Sequence, residues 1–185
     1  VELALQESSK VLAVRGQVLP ASARPVKISA RMTDGTIING ESNISCANKR
    51  IQRVTMEPSD VPAVQSALNA IRDADIVVLG PGSLYTSVIP NLLVGNIVEA
   101  LRNTRAMRMY VCNVMTQPGE TDHYTASDHV RALFDHGGQG IVDYVLVNVE
   151  EIASGLLDHS EREEACPVKA DITKREQRGV PGFRA

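Results

Sequence analysis

The residues best suited to chemistry fall in three places, and each place reads as the end of a buried strand. Gly80-Pro81-Gly82-Ser83 follows the apolar run Ile76-Val77-Val78-Leu79. Asn113, then Thr116-Gln117-Pro118-Gly119-Glu120-Thr121, follows the run Met107 to Cys112. Asn148 lies in a third run, Tyr144 to Val149. Glycines let a backbone approach a ligand closely, and amides at a helix start favour anions. Ser83, Tyr85, Thr86 and Ser87 add hydroxyls to the first of these turns. Glycines, hydroxyls and amides suit a phosphorylated, hydroxyl-rich small molecule such as a nucleotide sugar. In open α/β sheets such ligands bind outside the carboxyl ends of the strands, where strand order reverses.

Other chemistries fit less well. The Gly-Pro-Gly-Ser turn is neither a Walker loop nor a GxGxxG. Taken alone it also reads as a tight strand-to-helix connection, and Asn113 or Asn148 as loop residues bonding their own backbone. The agreement of three strand ends carries the argument. Ser83 has no histidine or lysine partner in a recognisable nucleophile elbow, which argues against a hydrolase triad. Glu120, Asp122, His123, Asp128, His129, Asp135 and His136 bear metal-ligating side chains. Their histidines lack the four-residue spacing of a helical metal pair, so no metal site is expected. His129 reads as packing, and His136 as a last-turn histidine favoured by the helix dipole. General acid–base work needs a titrating group at the reacting atom. Near these turns only Glu120, Asp122 and a solvent-facing His123 offer one, so binding without a catalytic residue is the expectation.

The elements that position these turns follow from periodicity. Val1, Leu5 and Leu12 sit at helical spacing over residues 1–12. Val26, Ile28, Ala30 and Met32 alternate with Lys27, Ser29 and Arg31, a half-buried strand that runs into an Asp34-Gly35 hairpin turn. With Thr36 to Ile38 and Ile51 to Met56 it predicts a small antiparallel unit within 24–57. Ser59 or Asp60 reads as the start of a helix through Ile71, and Pro90 to Asn103 as a second helix. Thr125 and Asp128 have capping-box spacing for a third, with Gly137 at its end. Ile76 to Leu79 reads as a strand buried on both faces. Helix and strand alternate with short connections, which predicts an α/β fold: a Rossmann-like parallel sheet with crossover helices plus the antiparallel hairpin unit. Residues 1–165 read as one domain and 166–185 as a charged tail.

The chain has 185 residues, a formal charge of −3 and 43% hydrophobic residues, ordinary for a folded domain. The acidic balance and the lack of a basic run argue against non-specific nucleic-acid binding. No apolar stretch approaches the roughly 18 residues of a membrane span. Cys46, Cys112 and Cys166 form neither a disulfide framework nor a metal knuckle, and Cys112 reads as a small core residue. A cytoplasmic protein is expected.

Two long motifs resemble the YvcK family of bacterial gluconeogenesis factors, in the superfamily of the CofD-like 2-phospho-L-lactate transferase. One is the run from Leu79 through Gly80-Pro81-Gly82-Ser83-Leu84-Tyr85-Thr86 to Leu93. The other is Val111-Cys112-Asn113 through Thr121, followed by Ser127-Asp128-His129-Val130. The resemblance covers most of residues 1–155. It implies a Rossmann-like domain that binds UDP-sugars, notably UDP-N-acetylglucosamine, with no other cofactor. It also implies a cytoplasmic role in cell-wall formation and cell shape under gluconeogenic growth. On this sequence the implied ligand side falls on Gly80, Gly82, Ser83, Tyr85, Thr86, Asn113, Thr116, Gln117 and Thr121, to which the strand-end reading adds Asn148. Family members begin with a Gly-rich turn of the GGGTG type that this sequence lacks, so an amino-terminal region of the site is expected to be missing. The exposed sheet edge left behind invites self-association into a homo-oligomer. A transferase like the superfamily relative, and a non-catalytic interaction scaffold, stay open as alternatives.

Overall fold

The computed structural model describes residues 16–150 and 165–171 and the backbone of 182–184. The helix read over 1–12 lies outside the described residues, as does the acidic stretch 161–164.

Alternation builds the first sheet. In β1 (Lys27–Met32) Ile28, Ala30 and Met32 are buried while Lys27 and Arg31 face solvent. Strand β2 (Ile37–Asn39) returns from the Asp34-Gly35 turn, where the Asp34 carboxylate accepts a hydrogen bond from the Thr36 amide at 2.9 Å. After a five-residue helix, α1 (Glu41–Ser45), strand β3 (Ile51–Glu57) pairs on the other side of β1. The sheet is antiparallel in the order β2-β1-β3.

The second layer alternates helix and strand. Helix α2 (Gln65–Asp73) precedes β4 (Ile76–Leu79), which runs into a π-helical turn, Leu84–Val88. Helices α3 (Ile89–Leu93) and α4 (Ile97–Asn103) lead to β5 (Met107–Val111). Helix α5 (Ala126–Gly137) then leads to β6 (Tyr144–Val147). Strand β7 (Gly182–Arg184), within the segment read as a tail, pairs with β6. All neighbours in the order β4-β5-β6-β7 are parallel, so the α/β reading with a small antiparallel unit holds. Ala30, Val54 and Ile44 share one apolar core with Leu84, Ile89 and Leu133, so the two sheets pack as one body. Among the described residues no helix is long and apolar enough to cross a membrane.

Three local expectations change. Helix α2 starts at Gln65, not near residue 60, because the backbone of Val61–Ala63 pairs with Gly95 instead. The Gly95 amide donates to the Val61 carbonyl at 2.9 Å, and the Ala63 amide to the Gly95 carbonyl at 3.2 Å. The same contact splits the helix read over 90–103 into α3 and α4, with Asn96 left-handed at φ 69°. Strand β4 is buried on one face only: Ile76 and Val78, which share the other face, are 52% and 53% exposed, so that face is not covered as a two-sided strand requires.

The predicted capping box of α5 forms, with the Asp128 carboxylate accepting from the Thr125 amide at 3.1 Å. The last turn of α5 holds the antiparallel sheet in place. His136 Nδ1 meets the Ala132 carbonyl at 2.7 Å and must donate to it. Its Nε2 is then the acceptor for the Val54 amide of β3, at 2.9 Å. His136 is therefore a neutral bridge between α5 and the antiparallel sheet, not the helix-dipole cation the sequence implied. Burial holds its pKa below the ordinary 6.5, and does the same to the fully buried His129.

Both imidazoles resist a proton in the folded chain that they accept in the unfolded one. The stability this contributes is complete above pH 6.5 and is lost as pH falls from 6.5 toward the depressed folded values. Thermal unfolding followed across that range will show a midpoint that declines with acidification. His136→Gln, which keeps an acceptor for Val54 and does not titrate, will flatten the decline; an unchanged pH profile would refute the bridge.

Candidate functional site

Parallel pairing sets the carboxyl ends of β4, β5 and β6 side by side, with Leu79 opposite Tyr110 and Val111 opposite Leu146. The turns after β4 and β5 therefore meet. Gly80 takes φ +77°, and a Cβ there would lie 2.9 Å from the Val111 carbonyl oxygen, so only glycine fits the approach of the two strand ends. Asn113 then locks the neighbouring turn from both sides. Its Oδ1 accepts from the Gly82 amide at 3.1 Å and its Nδ2 donates to the Gly82 carbonyl at 2.9 Å.

Beyond Gly82 the chain enters the π-helical turn, where the Ser87 and Val88 amides both donate to the Ser83 carbonyl at 2.9 Å. This turn rests on a buried carboxylate. Glu120 is 2% exposed. Its Oε1 accepts from Thr86 Oγ1 at 2.7 Å, from Ser45 Oγ at 2.7 Å and from Gln117 Nε2 at 3.1 Å. Its Oε2 accepts from the Tyr85 amide at 3.2 Å. One carboxylate thus ties α1, the turn after β4 and the loop after β5, and its charge is spread over hydroxyls and amides rather than a cation. Gly119, at φ +80°, lets this loop press on α1, because a Cβ there would overlap the Ser45 carbonyl.

The predicted residues divide by what they do. Tyr85, Thr86, Thr116 and Thr121 are buried and already partnered. Tyr85 and Tyr124 share a hydrogen bond between hydroxyls at 2.8 Å, and burial, followed by the Tyr124 neighbour, pushes the Tyr85 phenol well above its ordinary value. Thr116 exchanges hydrogen bonds with the Cys166 backbone, its amide to the carbonyl at 2.7 Å and its Oγ1 from the amide at 2.8 Å. Thr121 Oγ1 accepts from the Gln117 amide at 2.8 Å. Asn148 spends its amide group on the Glu150 backbone, at 3.1 and 3.3 Å, and is not drawn to the other two turns. Ser83 is different: it is half-buried, and its hydroxyl makes no hydrogen bond with another described residue. A hollow of about 340 Å³ borders Gly80, Pro81 and Gly82 and extends along the edge of β4 past Ser87 and Asn91.

The arrangement is a rigid frame that presents a glycine turn and a hydroxyl at a sheet edge. Strand order runs without reversal through the described strands, so the switch-point argument does not locate a crevice among them. Burial pushes the Cys112 thiol up to about 12, which makes it an inert core group. Among the described residues no group of three or more His, Cys, Asp or Glu side chains is placed to hold a metal ion. The sequence reading noticed Glu120 as a carboxylate and missed it as the hub. A signal was present: no Lys or Arg lies between Arg108 and Arg131. A carboxylate in that stretch has no lysine or arginine nearby in the chain to pair with.

Two outcomes follow from the hub. Glu120→Gln will lower the unfolding free energy by about 1.5–3 kcal/mol, the range for hydrogen bonds to a charged group. Denaturant titration checks it, and an unchanged midpoint would refute the hub. Gly119→Ala will destabilise at least as strongly, since it combines a strained φ with a backbone overlap.

Over residues 1–185 the chain matches the family described as 2-phospho-L-lactate transferase CofD. It is 52% identical to a gluconeogenesis factor of Halalkalibacterium halodurans, over 95% of this chain and 55% of the relative. It is 47% identical to the gluconeogenesis factor of Bacillus subtilis, over 98% of this chain and 57% of the relative. A crystal structure of a UPF0052 family member from Bacillus halodurans superposes with a TM-score of 0.92 at 51% identity, covering 97% of this chain and 58% of that one. The chain thus spans little more than half the length of the relatives it matches. The α/β frame, the glycine turn locked by Asn113 and a match along all 185 residues lead to one conclusion: this chain belongs to the CofD family.

Proposed function

We propose that this chain supplies the β4–β5 side of a nucleotide-sugar site, with UDP-N-acetylglucosamine as the ligand and regulation rather than turnover as the role. The observation that carries the reading is the Ser83 hydroxyl beside Gly80–Gly82, which makes no hydrogen bond with another described residue, on a turn held by Asn113 and Glu120. Backbone and hydroxyl donors on a fixed frame suit phosphate oxygens and sugar hydroxyls, and preorganisation lowers the ordering cost of binding. Tyr85, Thr86 and Thr121 act behind the surface by holding that frame. The relatives' name, gluconeogenesis factor, supports a role when carbon flows through gluconeogenesis. The reading extends that role, through the nucleotide-sugar ligand, to cell-wall supply and cell shape in the cytoplasm.

A second reading rests on the family description, which names a transferase. In that case the same turn would hold a nucleotide-activated acid while an acceptor alcohol attacks it. Consumption of the nucleotide, followed by chromatography, separates the two.

Calorimetric titration of UDP-N-acetylglucosamine tests the first reading, in this chain and in a form extended to the relatives' full length. UDP alone and NADP serve as controls. Ser83→Ala will weaken binding by about tenfold, the effect of one hydrogen bond to a charged ligand. Asn113→Ala will weaken it by about tenfold or more by releasing the turn that Asn113 locks at Gly82. His123→Ala, on an exposed left-handed loop residue, will leave it unchanged. Equal losses in all three, or no binding to the extended form, would discard the assignment.

A further inference from the structure

The outer face of the antiparallel sheet is matched in charge at one end and mismatched at the other. Register sets Lys27 opposite Glu57, Ser29 opposite Thr55 and Arg31 opposite Arg53. Opposite charges directly across an antiparallel pair stabilise it, and like charges destabilise it. Neither arginine forms an ion pair with a described residue. Arg53 Nη1 instead donates to the Asp135 carbonyl in the last turn of α5, at 2.9 Å, which fixes the direction of its guanidinium. A hollow of about 420 Å³ opens at this rung, walled by Arg31, Arg53, Gln52, Thr55, Ile37 and Asp135.

Each wall has a use. Guanidinium groups present fixed forks of donors that fit a phosphate, and Gln52 and Thr55 add an amide and a hydroxyl. Ile37 lies opposite Arg31 on β2 and is 60% exposed, an apolar surface beside the charged pair. The Asp135 side chain offers an acceptor to a hydroxyl and repels a second anionic group. A lone phosphate would use the arginines and leave Ile37 and Asp135 idle.

We propose that this hollow is a second binding site, for a small hydroxylated organic phosphate. The phosphate bridges Arg31 and Arg53, the short carbon body lies on Ile37, and a hydroxyl reaches Asp135. Bound anion converts the like-charged rung into a favourable one and bridges β1 and β3, beside the Arg53 contact to the end of α5. The site shares no residue with the strand-end turns and does not depend on the nucleotide-sugar reading.

The test is a titration of the intact chain with glycerol 3-phosphate, inorganic phosphate and glycerol, following the arginine Nε–H and backbone amide resonances. Glycerol 3-phosphate is expected to shift the Arg31 and Arg53 signals saturably, inorganic phosphate more weakly and glycerol not at all. Arg31→Gln is expected to weaken binding about tenfold or more, and Arg31→Lys to weaken it less, since charge survives without the fork. Both substitutions are at an exposed position and leave the core intact. Absence of a saturable shift would overturn the proposal, as would binding indifferent to Arg31→Gln. Shifts at Gly82 and Asn113 in place of the arginines would move the phosphate to the strand ends and overturn it equally.

Discussion

A carboxylate taken out of water must find enough donors to replace its hydration, and Glu120 finds them in three separate stretches of chain. Ser45 comes from the end of α1, Tyr85 and Thr86 from the turn after β4, and Gln117 from the loop after β5. Removing any donor leaves a buried charge less satisfied, so each stretch is held by the demand that the others also meet. The antiparallel unit and the parallel sheet are fastened at this point. The turn that presents Ser83 is anchored one residue after Leu84, through the Tyr85 amide.

This constraint explains why so many hydroxyls near the glycine turn do not face outward. Thr86, Thr121 and Thr116 are spent inside, on Glu120, on the Gln117 amide and on Cys166. The glycine turn, Ser83 and the sheet edge are left outside this buried network. A second link, from His136 of α5 to the Val54 amide of β3, lies beside Tyr85, whose ring centroid is 5.9 Å from the imidazole. Tyr85 thus touches two fastenings of the antiparallel unit, one a carboxylate and one a neutral imidazole. Its own hydroxyl closes the set on Tyr124, which in turn packs edge-on against His129.

Local signals were legible in the sequence. Alternation at Ile28, Ala30 and Met32, the capping box at Thr125 and Asp128, and the polar turns after apolar runs each involve residues a few positions apart. What stayed hidden depends on partners far along the chain. Ser45 reaches Glu120 across 75 positions, and His136 reaches Val54 across 82. The segment 61–63 looked helical because its own residues permit a helix, yet its backbone is claimed by Gly95. Asn113 and Asn148 illustrate the same divide: both follow strand runs, but Asn113 meets Gly82 across two strands while Asn148 turns back on Glu150. Residue type and spacing do not separate those cases, and three-dimensional pairing does.

Amide hydrogen exchange at Tyr85, compared between the native chain and Glu120→Gln, tests the central claim most directly. The Tyr85 N–H points at the Glu120 carboxylate, so it reports on that one contact. The account predicts slow exchange in the native chain and a marked acceleration in the variant, with the Gly82 amide following because its turn is continuous with Tyr85. Unchanged exchange at Tyr85 in a folded Glu120→Gln variant would show that the carboxylate does not hold the turn and would contradict the account.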